Sequence, residues 1–100
     1  MIIDIGGGST ETIIGVNGEV EFVRSAKLGA IRLTKRFFPN DRISNSQIKE
    51  CREFIRGEWA PNLKKLKEFR LECVVGTAGT IQNLAAMTLA SKNQQIPDIL

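Results

Sequence analysis

Apolar residues at the start of the chain alternate and cluster as strands do, and further on they recur at helical spacing. Ile2–Ile5 reads as a short buried strand running into Gly6-Gly7-Gly8, and Thr10–Val16 as a second strand rich in β-branched residues. Asn17-Gly18 between Val16 and Val20 predicts a type I′ hairpin turn, because both residues tolerate positive φ. A third strand then covers Glu19–Lys27, so the first quarter of the chain is expected to be an antiparallel meander. The helical pattern begins at Gly29–Phe38, with Ile31 and Thr34–Phe38 on one face, and stops before Pro39. Ser44 and Gln47 form a capping box for a helix whose apolar positions are Ile48, Cys51, Phe54 and Ile55. Gly57 is expected to end it, and Pro61 to open another helix with Leu63, Leu66 and Phe69 inward. Leu71–Val75 predicts a further strand, Gly76–Thr80 a loop, and Ile81–Ser91 a last helix with Ile81, Leu84, Ala85 and Leu89 inward. Residues 1–92 thus read as one α/β domain, and 93–100, with Pro97, as a linker or a truncated continuation.

Composition narrows the chemistry. The chain has 100 residues, 42% hydrophobic and 25% charged, as expected of a soluble globular domain. No apolar run approaches the roughly 20 residues of a spanning helix, and Met1-Ile2-Ile3-Asp4 does not resemble a secretory signal. These features predict a cytoplasmic protein without a membrane partner. Histidine is absent, which excludes Ser-His-Asp triads, Cys-His dyads and His-ligated metals. Cys51 and Cys73 are too few for a disulfide framework, and Cys51 fits a small core side chain.

Net charge is only +3, but 13 of the 14 basic residues and five acidic ones lie between Arg24 and Arg70, a local charge of +8. Such a segment is either a solvated helical face or a surface that draws a polyanion toward an otherwise acidic site. Trp59 is the lone tryptophan, tyrosine is absent and the phenylalanines sit at core spacing. Without a stacking platform, nucleic acid is not the expected polyanion. Trp59 itself is expected to be a partly buried packing residue at a helix junction.

Two glycine-rich segments carry the candidate chemistry. Gly6, Gly7 and Gly8 let backbone amides approach an anion closely, and Ser9 and Thr10 add hydroxyls. Asp4 precedes them and Glu11 follows. Two carboxylates beside a phosphate cradle would repel the phosphate unless a hard cation such as Mg²⁺ or Ca²⁺ lay between them. The alternative is a tight strand-to-strand turn without a ligand. Gly76, Thr77, Ala78, Gly79 and Thr80 repeat the arrangement before a helix, where free amides and the helix dipole favour an anion. There the alternative is a plain strand-to-helix connection.

Asp4-Ile5-Gly6-Gly7-Gly8-Ser9-Thr10-Glu11 resembles the second phosphate-loop signature of the exopolyphosphatase/guanosine pentaphosphate phosphohydrolase family, within the actin/sugar-kinase/heat-shock-chaperone superfamily. Leu28-Gly29-Ala30-Ile31-Arg32-Leu33-Thr34 is similar to that family's "G-A-V-R-L-T" segment. Val75–Ile81 with Asn83-Leu84-Ala85 is similar to its "V-G-T-G-G-T-I" loop and following helix. The resemblance covers most of the chain and implies a partial ribonuclease-H-like (actin-like ATPase) domain, the second of two that flank a catalytic cleft. It also implies hydrolysis of terminal phosphoanhydride bonds of polyphosphate or guanosine pentaphosphate. Asp4 and Glu11 would hold Mg²⁺ or another divalent cation and the attacking water. Gly6, Gly7, Gly8, Ser9 and Thr10 would cradle phosphate, and Gly76, Thr77, Gly79 and Thr80 would line the far side.

The resemblance assigns a further phosphate loop and a general-base glutamate to a first domain, and a closing strand and helix to the region after Ser91. The isolated chain is therefore expected to be inactive and to need the missing partner domain. A different reading is a non-catalytic phosphate- or nucleotide-binding or assembly module, forming a homodimer through an open sheet edge. An actin-like filament protein would share Asp4–Gly8 but accounts poorly for Arg32-Leu33-Thr34 and Gly76–Thr80. Two positions depart from expectation: Ala78 stands where glycine is common, and Thr12 where an apolar residue is expected.

Overall fold

The computed structural model describes residues 1–93. The elements run β1 (Ile2–Ile5), β2 (Thr10–Val16), β3 (Glu19–Ala26), α1 (Ala30–Phe37), α2 (Asn45–Leu66), β4 (Val75–Thr77) and α3 (Ala78–Ser91). Four strands form one sheet in the order β3-β2-β1-β4. The β1-β2-β3 meander is antiparallel, as the sequence predicts, and β4 joins β1 in parallel. The hairpin turn has positive φ at both Asn17 (52°) and Gly18 (81°), the geometry of a type I′ turn. Of the linker expected at 93–100, residues 94–100, with Pro97, lie outside the described residues.

Alternation along β2 sorts the sheet into two faces. Thr10, Thr12 and Ile14 are buried on the face covered by the helices, whereas Glu11 and Ile13 turn to the other face. The core is small: Ile14, Leu28 and Cys51 are its buried apolar residues among those described. Burial pushes the Cys51 thiol above its ordinary pKa, in keeping with a packing rather than a nucleophilic role. β1 is only half-buried, so Asp4 is not the deeply enclosed charge expected from its apolar neighbours.

The helices depart most from the sequence reading. Residues 45–66 form one helix through both Gly57 and Pro61. The reason is a stripe of buried and half-buried positions, Ile48, Cys51, Ile55, Trp59, Asn62 and Leu66, which keeps helical phase across the expected break. Pro61 withdraws one backbone donor, but packing along the stripe outweighs the loss of a single bond. Consequently Asn62 is buried and Leu63 is 48% exposed, the reverse of the expected facing, and Trp59 lies mid-helix rather than at a junction. In α1, Leu33 and Phe37 turn inward and Ile31 is exposed; Phe37 meets Phe54 of α2 at 5.4 Å between ring centroids. In α3, Ile81 and Leu89 are half-buried, whereas Leu84 and Ala85 are exposed.

The fourth strand is also displaced. Its pairing with β1 is Ile2 to Val75, Ile3 to Gly76 and Asp4 to Thr77, so the strand is Val75–Thr77 and not Leu71–Val75. Gly76 and Thr77 therefore belong to the sheet, and Gly79 and Thr80 to the first turn of α3, with no loop between.

Thr12 is fully buried and its hydroxyl has no hydrogen-bond partner among the described residues. An orphaned buried hydroxyl costs about 1–3 kcal/mol, and valine has nearly the same shape. Thr12→Val is expected to raise unfolding stability by about 1 kcal/mol, read as a higher denaturation midpoint in urea; an unchanged or lower midpoint would contradict this account.

Candidate active site

β1 and β4 are parallel, so the turn after β1 and the start of α3 after β4 emerge at the same end of the sheet. That end is where ligands bind in open α/β folds. Asp4 is the register partner of Glu11 on β2 and of Thr77 on β4, and Glu11 is the partner of Ser25 on β3. Ser25, Glu11, Asp4 and Thr77 thus form one polar row across all four strands, on the sheet face opposite Ile3, Ile5 and Ile14.

Within the row, Ser9 Oγ and Ser25 Oγ both donate to Glu11 Oε1, the latter at 3.0 Å. Neither Asp4 nor Glu11 enters an ion pair with a described residue, since the ion pairs found are Lys49–Glu53 and Lys65–Glu68. Like charges directly across a strand pair repel. A divalent cation would relieve that repulsion. No group of three or more metal-ligating side chains occurs among the described residues. Two carboxylates with neighbouring hydroxyls nevertheless suit Mg²⁺, which keeps several waters and takes substrate phosphate as a further ligand.

The glycine turn is shaped by α1. Ala30 N donates to Gly6 O at 3.0 Å, Arg32 N to Gly7 O at 3.0 Å and Arg32 Nε to Gly8 O at 2.8 Å. Three successive carbonyls are thereby directed toward the start of α1. With every peptide trans, the opposing amides of Gly7, Gly8 and Ser9 face away from it. Among the described residues these three amides donate to no backbone acceptor, whereas Gly6 N is satisfied by Ser9 O at 2.9 Å. Three successive N–H groups are thus left without a backbone acceptor on the side away from α1, and such runs of amides bind anions elsewhere. Contact this close requires a missing side chain: a Cβ on Gly29 would overlap the Gly7 and Gly8 backbone, and one on Gly7 would meet Ile31 Cδ1 at 2.9 Å.

Not every residue singled out in the sequence joins this cluster. Asp4, Glu11, Thr77, Ser9 and the Gly6–Gly8 turn come together. Thr10 does not offer its hydroxyl there; it is buried on the helix-covered face and donates to Leu28 O at 2.7 Å. Thr80 likewise lines an apolar cavity with Ile3, Ile5, Leu33, Ile55 and Trp59. Gly76 is held against Ile81, where a Cβ would lie 2.6 Å from Cγ2. Gly79 stands in open space in the first turn of α3, whose N-cap Thr77 makes no side-chain capping bond. Two contributors were not foreseen, Ser25 and Arg32. On the other side of the turn, Gly7 and Gly8 border a groove of about 890 Å³ lined also by Lys27, Arg32, Lys35, Arg36, Phe54 and Glu58. Part of the basic middle segment is therefore gathered beside the glycine turn.

Comparison with known proteins decides the family. A model of the Ppx/GppA phosphatase family matches residues 1–98. The chain belongs to the Ppx/GppA phosphatase family. It is 34% identical over 98 residues to exopolyphosphatase 1 of Mycobacterium tuberculosis, covering 97% of this chain and 28% of that protein. It is 30% identical over 96 residues to a guanosine-5'-triphosphate,3'-diphosphate pyrophosphatase of Vibrio vulnificus, covering 96% of this chain and 19% of that one. Among solved structures, the type II variant of the Aquifex aeolicus Ppx/GppA phosphatase superposes with a TM-score of 0.75 at 32% identity, over 95% of this chain and 30% of that one. An exopolyphosphatase from Cytophaga hutchinsonii gives 0.76 at 29% identity, over 95% and 30%. The chain thus spans less than a third of each of these Ppx/GppA proteins, and its mixed α/β sheet is the actin-like fold that they share.

Ala78, at the position where the family motif has glycine, adopts φ 71°. The left-handed region costs a non-glycine residue about 1–2 kcal/mol, partly offset by the greater unfolded-state entropy of glycine, about 0.4–1 kcal/mol. Ala78→Gly is expected to stabilise the domain by about 0.5–1 kcal/mol, read by chemical denaturation. Gly29→Ala is expected to cost at least about 2 kcal/mol through overpacking. A Gly29→Ala protein as stable as the parent, with unchanged Gly7 and Gly8 amide resonances, would contradict the close contact.

Proposed function

We propose that this chain carries one wall of a phosphoanhydride-hydrolysing site that removes terminal phosphate from polyphosphate or guanosine pentaphosphate. The observation that supports it most is the juxtaposition of three outward-facing amides, Gly7, Gly8 and Ser9, with the Asp4–Glu11 pair at one end of the sheet. The names of the Mycobacterium and Vibrio relatives supply the two substrate classes.

In this reading the terminal phosphate lies on the Gly6–Ser9 turn, its oxygens accepting from the main-chain amides of Gly7, Gly8 and Ser9, while the Ser9 hydroxyl, foreseen as a phosphate donor, is committed to Glu11 Oε1. Asp4 and Glu11 would hold a divalent cation such as Mg²⁺ and orient the attacking water. When bound, that cation supplies charge neutralisation at the phosphoryl oxygens. The Ser9 and Ser25 hydroxyls on Oε1 fix the Glu11 carboxylate, leaving Oε2 to face water or cation. Thr77 and the uncapped start of α3 form the adjoining edge. Phosphoryl transfer needs positioning and charge neutralisation more than covalent chemistry, and this half of a site offers both. The groove with Lys27, Arg32, Lys35 and Arg36 would raise the local concentration of a polyanion. A non-catalytic binding or assembly role is the second reading, favoured by β4 having, among the described residues, a sheet neighbour on one side only.

In a longer family enzyme, the change matching Glu11→Gln is expected to lower kcat for Mg²⁺-dependent polyphosphate hydrolysis by at least about 100-fold; unaltered hydrolysis would refute the role of that carboxylate. The 100-residue chain alone is expected to release phosphate at under about 1% of such an enzyme's rate, because geometry precedes pKa in general-base catalysis and this wall supplies only part of it. Comparable release by the purified chain would overturn the need for a second wall.

A further inference from the structure

Three carbonyls of the glycine turn are drawn toward α1, but by different means. Gly6 O and Gly7 O are held by the main-chain amides of Ala30 and Arg32, which any residue but proline at those positions would offer. Gly8 O is held by a side chain, the Nε–H of Arg32, at 2.8 Å. The Gly8 carbonyl and the Ser9 amide belong to one trans peptide plane, so whatever anchors the carbonyl aims the amide. Glycine places little torsional restraint on that plane. Without an anchor it can rotate and present its carbonyl, rather than its N–H, to a bound anion.

We propose that Arg32 is a positioning residue for anion binding: its Nε–H bond to the Gly8 carbonyl holds the Ser9 amide toward the ligand. The proposal rests on the reading of the turn as a phosphate cradle. The side chain acts from behind the turn, on the carbonyl side, and is not itself assigned to the phosphate. Charge-assisted bonds to a carbonyl are among the stronger ones, and the planar guanidinium restricts the direction of its Nε donor. Gly29 complements Arg32 here, since only a residue without a side chain lets α1 come close enough for both main-chain and side-chain bonds. The spacing Gly29-Ala30-Ile31-Arg32 thus follows from one contact: Gly29 gives the approach, Ala30 and Arg32 the amides, and Arg32 the third anchor.

The test is a titration of the protein with inorganic tripolyphosphate, followed at the Gly7, Gly8 and Ser9 amides by NMR, for the parent, Arg32→Gln and Arg32→Lys. In the parent all three amides are expected to shift on saturation. In Arg32→Gln the Ser9 shift is expected to be lost while Gly7 and Gly8 still respond, with affinity about tenfold weaker. Ligand-free Ser9 amide exchange is expected to change in the same variant with Gly7 and Gly8 unaffected. Arg32→Lys, which keeps the charge and a more flexible donor, is expected to recover part of the Ser9 response. A uniform weakening at all three amides in Arg32→Gln, restored in full by Arg32→Lys, would mean that Arg32 acts through charge alone and would overturn the proposal. Parent-like binding and a parent-like Ser9 shift in Arg32→Gln would overturn it too. A parent protein in which none of the three amides responds would instead refute the phosphate cradle itself, and the proposal with it. Should Arg32→Gln not fold, the comparison of the parent with Arg32→Lys decides, since an identical Ser9 response and exchange in those two would leave no role for the Nε geometry.

Discussion

The contact between the Gly6–Gly8 turn and the first residues of α1 is the constraint from which the candidate site follows. It is a backbone-on-backbone approach, possible because Gly29 and Gly7 carry no side chains. The start of an α-helix has amides without intrahelical acceptors, and here two of them are satisfied by carbonyls of the turn. One interaction therefore solves two problems. It pairs amides that would otherwise be left unpaired, and it polarises the turn, so that carbonyls face the helix and N–H groups face outward. A turn of the same length without that helix would have no reason to prefer this orientation.

Strand register does the rest. The turn connects Ile5 directly to Thr10 as register partners, which places Asp4 opposite Glu11. The parallel addition of β4 places Thr77 on Asp4's other side and starts α3 beside the turn. Charge is segregated in the same way. The carboxylates lie on the sheet face opposite Thr10, Thr12 and Ile14, while Lys27, Arg32, Lys35 and Arg36 line a groove that Gly7 and Gly8 border. An acidic pair suited to a cation thus sits within reach of a basic groove suited to a polyanion, with main-chain amides between them.

The domain carries several small local costs. Thr12 leaves a buried hydroxyl unsatisfied one residue beyond Glu11, and Ala78 occupies a left-handed conformation next to Thr77. Asn62 buries an amide nitrogen without a partner among the described residues, in the stripe that carries α2 through Pro61. With three buried apolar residues in the described core, each such cost is a sizeable share of the stability of a domain this small.

Much was determined by the sequence alone. Strand periodicity and the Asn17-Gly18 turn dictated the meander, because those are short-range preferences of φ, ψ and side-chain alternation. The spacing of Asp4, Glu11 and the glycines, with a tight turn between two strands, set the two carboxylates opposite each other for the same local reason. Tertiary structure decided what depends on distant partners. Counting back from the hairpin turn sets Glu11 opposite Arg24, but a bulge between Ile14 and Gly15 shifts the register and brings Ser25 there instead. Gly57 and Pro61 are helix breakers by propensity, yet a continuous buried stripe overrode them. The limits of β4 were set by which residues meet β1, and Thr10 and Thr80 were turned to the helix-covered side of the sheet. The anchoring of Gly8 by Arg32 spans 24 positions, and a bond of that range comes into being only when the helix docks on the turn.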